Sequence, residues 1–139
     1  VGLPLGTRPG QTQAEPQLTE AYYSSNSIEM IKIHFEAVLN VYYGRSKSAS
    51  NNDGIGFDDY LRSVTGGEQL ISDTEAQIQL VQNKLDNLPN NEALSDLIIN
   101  NENAVSELHT ELQKLTRFFK SDMSSLLGIS ITFDSGDGD

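Results

Sequence analysis

Residues 91–127 read NEALSDLIINNENAVSELHTELQKLTRFFKSDMSSLL, and their spacing decides the fold. Leu94, Ile98, Asn101, Val105, Leu108, Leu112, Leu115, Phe119 and Leu126 follow one another at steps of 4, 3, 4, 3, 4, 3, 4 and 7. Steps of three and four return to the same side of an α-helix, so the spacing predicts one long helix with a single apolar stripe. Such a stripe leaves water only when partner helices cover it. Pro89 with Asn90 and Asn91 marks the expected start, because an asparagine side chain accepts a hydrogen bond from the unpaired N–H groups of a first turn. Gly128 marks the expected end, as the left-handed residue that follows a helix. Asn101 is the polar residue in the stripe. A polar side chain there is expected to fix register, with contact to a ligand as the alternative.

Working upstream, Ile71, Thr74, Ile78, Val81, Leu85 and Leu88 form a second seam that Pro89 closes. Only a few residues join it to the long helix, so the two are expected to lie antiparallel. Thr65 followed by Glu68 has the spacing of a capping box at its start. Phe57, Leu61 and Val64 predict a short helix, after a polar loop over 45–56. Ile28, Ile31, Phe35, Val38 and Tyr42 predict a third long helix that ends at Gly44, with Asn26 and Glu29 as a second capping box. Beyond Gly128, Ile129, Ile131 and Phe133 alternate with Ser130 and Thr132 in strand fashion. Five residues cannot form a sheet alone, so pairing with Val1–Leu5 is expected. The fold class is therefore all-α: an up-and-down bundle of three long helices and one short helix, with a short extended C-terminal segment. Residues 1–17 read as a linker or extended segment, 18–128 as the bundle, and 129–139 as a short strand and acidic tail.

Twenty acidic residues against nine basic ones give a net charge of −11. Nucleic-acid binding needs clustered lysine and arginine, and the scattered basic residues do not supply it. With no cysteine there is no disulfide, thiolate metal site or cysteine nucleophile. No apolar run approaches the ~20 residues that a helix needs to span a bilayer. The opening Val1-Gly2-Leu3-Pro4, with no initiator methionine or secretory signal, reads as the interior of a longer chain.

Candidate chemistry is sparse. His34 and Glu36, like His109 and Glu111, are two residues apart, and that spacing sends helical side chains to different faces, so neither pair can hold a metal. Asp58 and Asp59 are adjacent and diverge for the same reason. The tail Asp134-Ser135-Gly136-Asp137-Gly138-Asp139 suggests calcium but lacks the closing glutamate of a calcium loop, and Gly2, Gly6 and Gly10 lack the lysine of a phosphate loop. No catalytic or metal residue can be named, and cofactor-binding residues stay unknown.

Three stretches carry a family resemblance: Asn26-Ser27-Ile28-Glu29-Met30, then Asn40-Val41-Tyr42-Tyr43-Gly44, then Leu127-Gly128-Ile129-Ser130-Ile131-Thr132-Phe133 with its acidic ending. From about Leu18 onward the chain resembles the C-terminal half of imelysin-like proteins, most sharply at its ending. The resemblance implies two helical bundles, of which this is the second, in a periplasmic or outer-membrane lipoprotein of the Gram-negative cell envelope. It implies a partner in the N-terminal bundle and a cleft between the two. It also implies divalent metal or iron in the intact parent, since the family is classed with metallopeptidases and related members act in iron uptake. The family signature Gly-x-His-x-x-Glu is absent here: His34 is followed by Phe35-Glu36, and His109 by Thr110-Glu111. The expected role is thus one wall of a metal- or ligand-binding cleft, without activity alone. The alternative is a stand-alone helical module that binds a protein partner and has no enzymatic activity.

Overall fold

The computed structural model describes residues 1–46, 54–89 and 91–129. Two single turns of 3-10 helix, Pro16–Leu18 and Tyr22–Ser24, precede α1 (Ser27–Tyr42). The helices α2 (Phe57–Arg62), α3 (Gly67–Asp86), α4 (Leu94–Asn100) and α5 (Glu102–Arg117) follow. A π-helical turn, Phe118–Met123, then leads into α6 (Ser124–Leu127). Among the described residues there is no strand, and the chain is all-α as expected.

The α3 seam is fully buried from Ile71 to Leu88, and it packs against Val105, Leu108 and Leu115 of α5. Gln77 meets Glu111 while Lys84 meets Glu107, so rising numbers on α3 face falling numbers on α5: the pair is antiparallel. Each leucine or isoleucine buried this way contributes roughly 1.5–3 kcal/mol. On α1, Ile28, Phe35 and Tyr42 turn inward at steps of seven. Gly44 ends the helix as expected: its N–H reaches Val41 O while the Arg45 N–H reaches Asn40 O, a Schellman closure. Its φ of +65° and an approach to the Ile55 backbone, 2.5 Å from where a Cβ would sit, leave room only for glycine.

Several expectations need correction. The single helix over 91–127 is broken at Asn101, whose φ of −148° and ψ of 57° leave the helical region. Asn100, Asn101 and Asn103 crowd the break, and asparagine side chains compete for backbone hydrogen bonds. Asn101 is exposed, so it links two helices rather than setting register inside a seam. The expected caps also differ. Asn26 does stand at the N-cap of α1, but without a side-chain cap bond. Gly66 rather than Thr65 precedes α3, and Ala93 rather than Asn91 precedes α4. Val38 and Phe57, expected in apolar stripes, are exposed.

The first residues are not extended. Leu5 is buried with the core, and the chain coils through turns in which Glu15 N–H reaches Pro4 O and Thr7 N–H reaches Gly2 O. The 3-10 turn Pro16–Leu18 packs on α4. The expected strand at 129–133 and the acidic tail lie outside the described residues beyond Ile129, as do most of the polar loop and Asn90.

Candidate ligand groove

The sequence of α5 and the π-helical turn after it carries two parallel rows. Leu108, Leu112, Leu115 and Phe119 form the apolar one, and His109, Gln113, Thr116 and Lys120 repeat its steps one position later. The second row therefore runs along one edge of the helix. Together with the first residues of the chain and with α1 it lines a groove in two adjoining parts, which share Val1, Leu112, Thr116 and Lys120.

The wider part, about 840 Å³, lies between the N-terminal turns and α5, and Arg8, His109, Arg117 and Lys120 line it. The narrower part, about 430 Å³, lies between α1 and α5 over Ile31, Phe35, Leu115 and Phe119. His34, Val38 and Glu20 stand along this part. The π-helical turn belongs to the same region. Its wider winding is where Lys120 reaches the groove and where the Phe119 ring meets Tyr42, with centroids 5.7 Å apart. Such turns recur at functional sites because they break the helical register locally.

The two histidines, 75 positions apart in sequence, thus stand on one groove. His109 is half-buried against the N-terminal turn: a Cβ on Gly2 would come within 2.7 Å of its Nε2. Burial first, then the positive charge of Arg8, holds its pKa below the ordinary imidazole value. His34 is exposed. Glu111 turns away from His109, as its position two residues on requires. It accepts a hydrogen bond from Gln77 Nε2 at 2.7 Å and pairs with Lys114 at 2.9 Å. The Gln77 bond first, then Lys114, lowers the pKa of its carboxyl.

A second polar cluster lies where α1, α2 and α3 meet. Tyr42 is 1% exposed, and burial pushes its phenol pKa up strongly, with Tyr43, Glu75 and Asp58 adding to the shift. The Tyr42 hydroxyl, Asp58 Oδ1 and Thr74 Oγ1 are buried with no hydrogen-bond partner among the described residues. Arg62 bridges Asp58 and Asp59 at 3.3 and 2.9 Å, with Asp58 turned inward and Asp59 outward. A buried polar atom without a partner is costly, which singles this cluster out from the apolar core.

Among the described residues, no three His, Asp or Glu side chains gather as a metal site. The donor chemistry in the groove agrees: His109 has the cationic Arg8 beside it, where a metal would need a carboxylate or a second imidazole. The described residues of the groove do not fit a resident metal.

The sequence row at 109, 113, 116 and 120 was a legible signal for the groove. The contribution of Arg8 was not, because residues 1–17 read as a linker. The spacing places Tyr42 in an apolar stripe, and nothing in that spacing points to its hydroxyl.

The family model described as Imelysin matches residues 1–118. The match takes in the first seventeen residues, which the resemblance had left aside, and stops short of the ending on which the resemblance was sharpest. No curated protein and no solved structure matches the chain.

Proposed function

Since the chain belongs to the imelysin family, we propose that it serves as one wall of a ligand-binding cleft in an imelysin-like protein of the cell envelope. A second helical bundle supplies the opposite wall and the Gly-x-His-x-x-Glu signature. The ligand is a metal or a metal-bearing molecule, with iron uptake as the biological setting and peptidase activity as the family label. No step of hydrolysis falls to the described residues of this chain, because the donors among them do not fit a metal.

The observation that supports this reading most is the outer face of α1. Ile33, Ala37 and Val41 recur at steps of four on one line of the helix and are exposed, Val41 at 63%. The opposite line of the same helix is buried in the core. A helix that is apolar on both sides is built to be covered on both. This uncovered line adjoins the groove through Val38 and His34, so a body covering it would also close the groove.

The test is metal binding and proteolysis by the protein as its gene encodes it, beside the same assays on residues 1–139 alone. The reading expects metal to bind to the encoded protein and expects neither activity from residues 1–139. Zinc-dependent proteolysis by residues 1–139, abolished by His34→Ala, would contradict it.

A further inference from the structure

Three buried oxygens at the junction of α1, α2 and α3 have unmet hydrogen bonds: the Tyr42 hydroxyl, Asp58 Oδ1 and Thr74 Oγ1. Their residues are 1%, 7% and 0% exposed, so bulk solvent does not supply the missing partners. Each belongs to a different helix, and α2 packs on both of the others. Asp58 Oδ1 lies beside the end of α1: a Cβ on Gly56 would stand 2.6 Å from it and 2.3 Å from the Tyr42 carbonyl oxygen. The Tyr42 phenol is within electrostatic reach of Asp58 and of Glu75, the neighbour of Thr74 on α3, and both charges add to the burial that raises its pKa.

The chemistry of the three atoms selects what joins them. Each hydroxyl has a proton to donate, whereas the carboxylate oxygen can only accept. The other oxygen of Asp58 is paired with Arg62 at 3.3 Å, so positive charge is already supplied there. A metal ion would leave both hydroxyl protons unmatched, and no three His, Asp or Glu side chains gather among the described residues. Water both accepts and donates. Internal waters have about three polar partners, the number on offer here.

We propose that this junction holds an internal water molecule that accepts from the Tyr42 and Thr74 hydroxyls and donates to Asp58 Oδ1, joining α2 to α1 and α3. Tyr42 also meets the Phe119 ring that lines the groove, with centroids 5.7 Å apart, so the water fixes a side chain that backs the groove. The site is independent of the cleft reading above.

Tyr42→Phe and Thr74→Val each delete one hydroxyl at nearly constant volume. A shared water predicts that either change lowers the melting temperature of residues 1–139 by about 2–6 °C. It also predicts that the double variant falls by clearly less than the two losses together. If the oxygens had no common partner, deleting a hydroxyl would leave the melting temperature unchanged or raise it. Either of those results, or fully additive losses, would overturn the proposal. A high-resolution crystal structure of residues 1–139 is the measurement that needs no variant. It should show one ordered oxygen within about 2.5–3.2 Å of at least two of the three atoms. Both hydroxyls bonded directly to protein, with no oxygen between, would contradict the site. Melting in equal concentrations of sodium, potassium and choline chloride should be alike; a gain with sodium or potassium that Asp58→Asn abolishes would put a cation in place of the water.

Discussion

The α3–α5 pair and α1 use the same helical spacing to different ends. On α3 and α5 one line of each helix is buried, and polar side chains tie the pair at its border, Gln77 to Glu111 and Lys84 to Glu107. On α1 the buried line has an apolar counterpart on the outside, Ile33, Ala37 and Val41. The first pattern is a seam buried within the chain; the second is a helix with one apolar line buried and another exposed. The fold therefore rests on α3–α5, while the surface of α1 is where function is to be sought.

The largest loss of stability is expected in the α3–α5 seam. Leu85 and Leu108 are 0% exposed, and Leu85→Ala or Leu108→Ala should cost about 2–5 kcal/mol of unfolding free energy. Urea denaturation measures this, and a loss below about 1 kcal/mol would mean that the seam collapses around the cavity or matters little. Gln77→Ala comes next. It strips hydrogen bonds from both the Glu111 backbone carbonyl and carboxylate, with an expected loss of about 1–3 kcal/mol at neutral pH.

Acid sharpens the same point. Glu111 has a depressed pKa in the folded chain, so the stability it contributes is full above its ordinary value of 4.5 and is lost as pH falls through the folded value. The gap between the native chain and Gln77→Ala should accordingly narrow below that value, and a constant gap would show that the carboxylate takes no part. His109 acts in a separate window. Its folded pKa lies below the ordinary 6.5, so the unfolded chain takes up the proton first, and stability declines as pH falls through 6.5. His109→Gln should flatten that decline in thermal melts between neutral and mildly acidic pH.

The smallest effect is expected on α1. Ile33→Glu sits on an exposed face and should change the stability of residues 1–139 by no more than about 0.5 kcal/mol. In the protein as encoded, the same change buries a charge if the face is covered, and destabilises it well beyond that.

How much of this the sequence carried follows from the kind of signal involved. The α3 seam was legible to the residue, from Ile71 to Leu88, because 3/4 periodicity reports burial directly. The break at Asn101 was not legible, since one polar residue in a heptad row reads equally as a register device or as an interruption. The caps were misplaced by one or more residues at α3 and α4, because capping-box spacing is a local preference that loop closure at Gly66 and Ala93 overrides. The groove was half legible. His109, Thr116 and Lys120 share a helical edge in the sequence, but Arg8 joins them only through turns that a proline- and glycine-rich segment does not announce. The buried hydroxyl of Tyr42 was hidden for a similar reason: a tyrosine in an apolar row reads as a ring, and its oxygen becomes visible only when α2 and α3 close over it.

Whether the outer face of α1 is covered in the protein as encoded can be read from thiol accessibility. The chain contains no cysteine, so a single Val41→Cys variant reports on that face alone, with Ser106→Cys on the exposed face of α5 as the reference. Thiol labelling of residues 1–139 should be fast at both positions. In the encoded protein it should remain fast at 106 and become strongly protected at 41, whereas equal labelling at both would contradict the account.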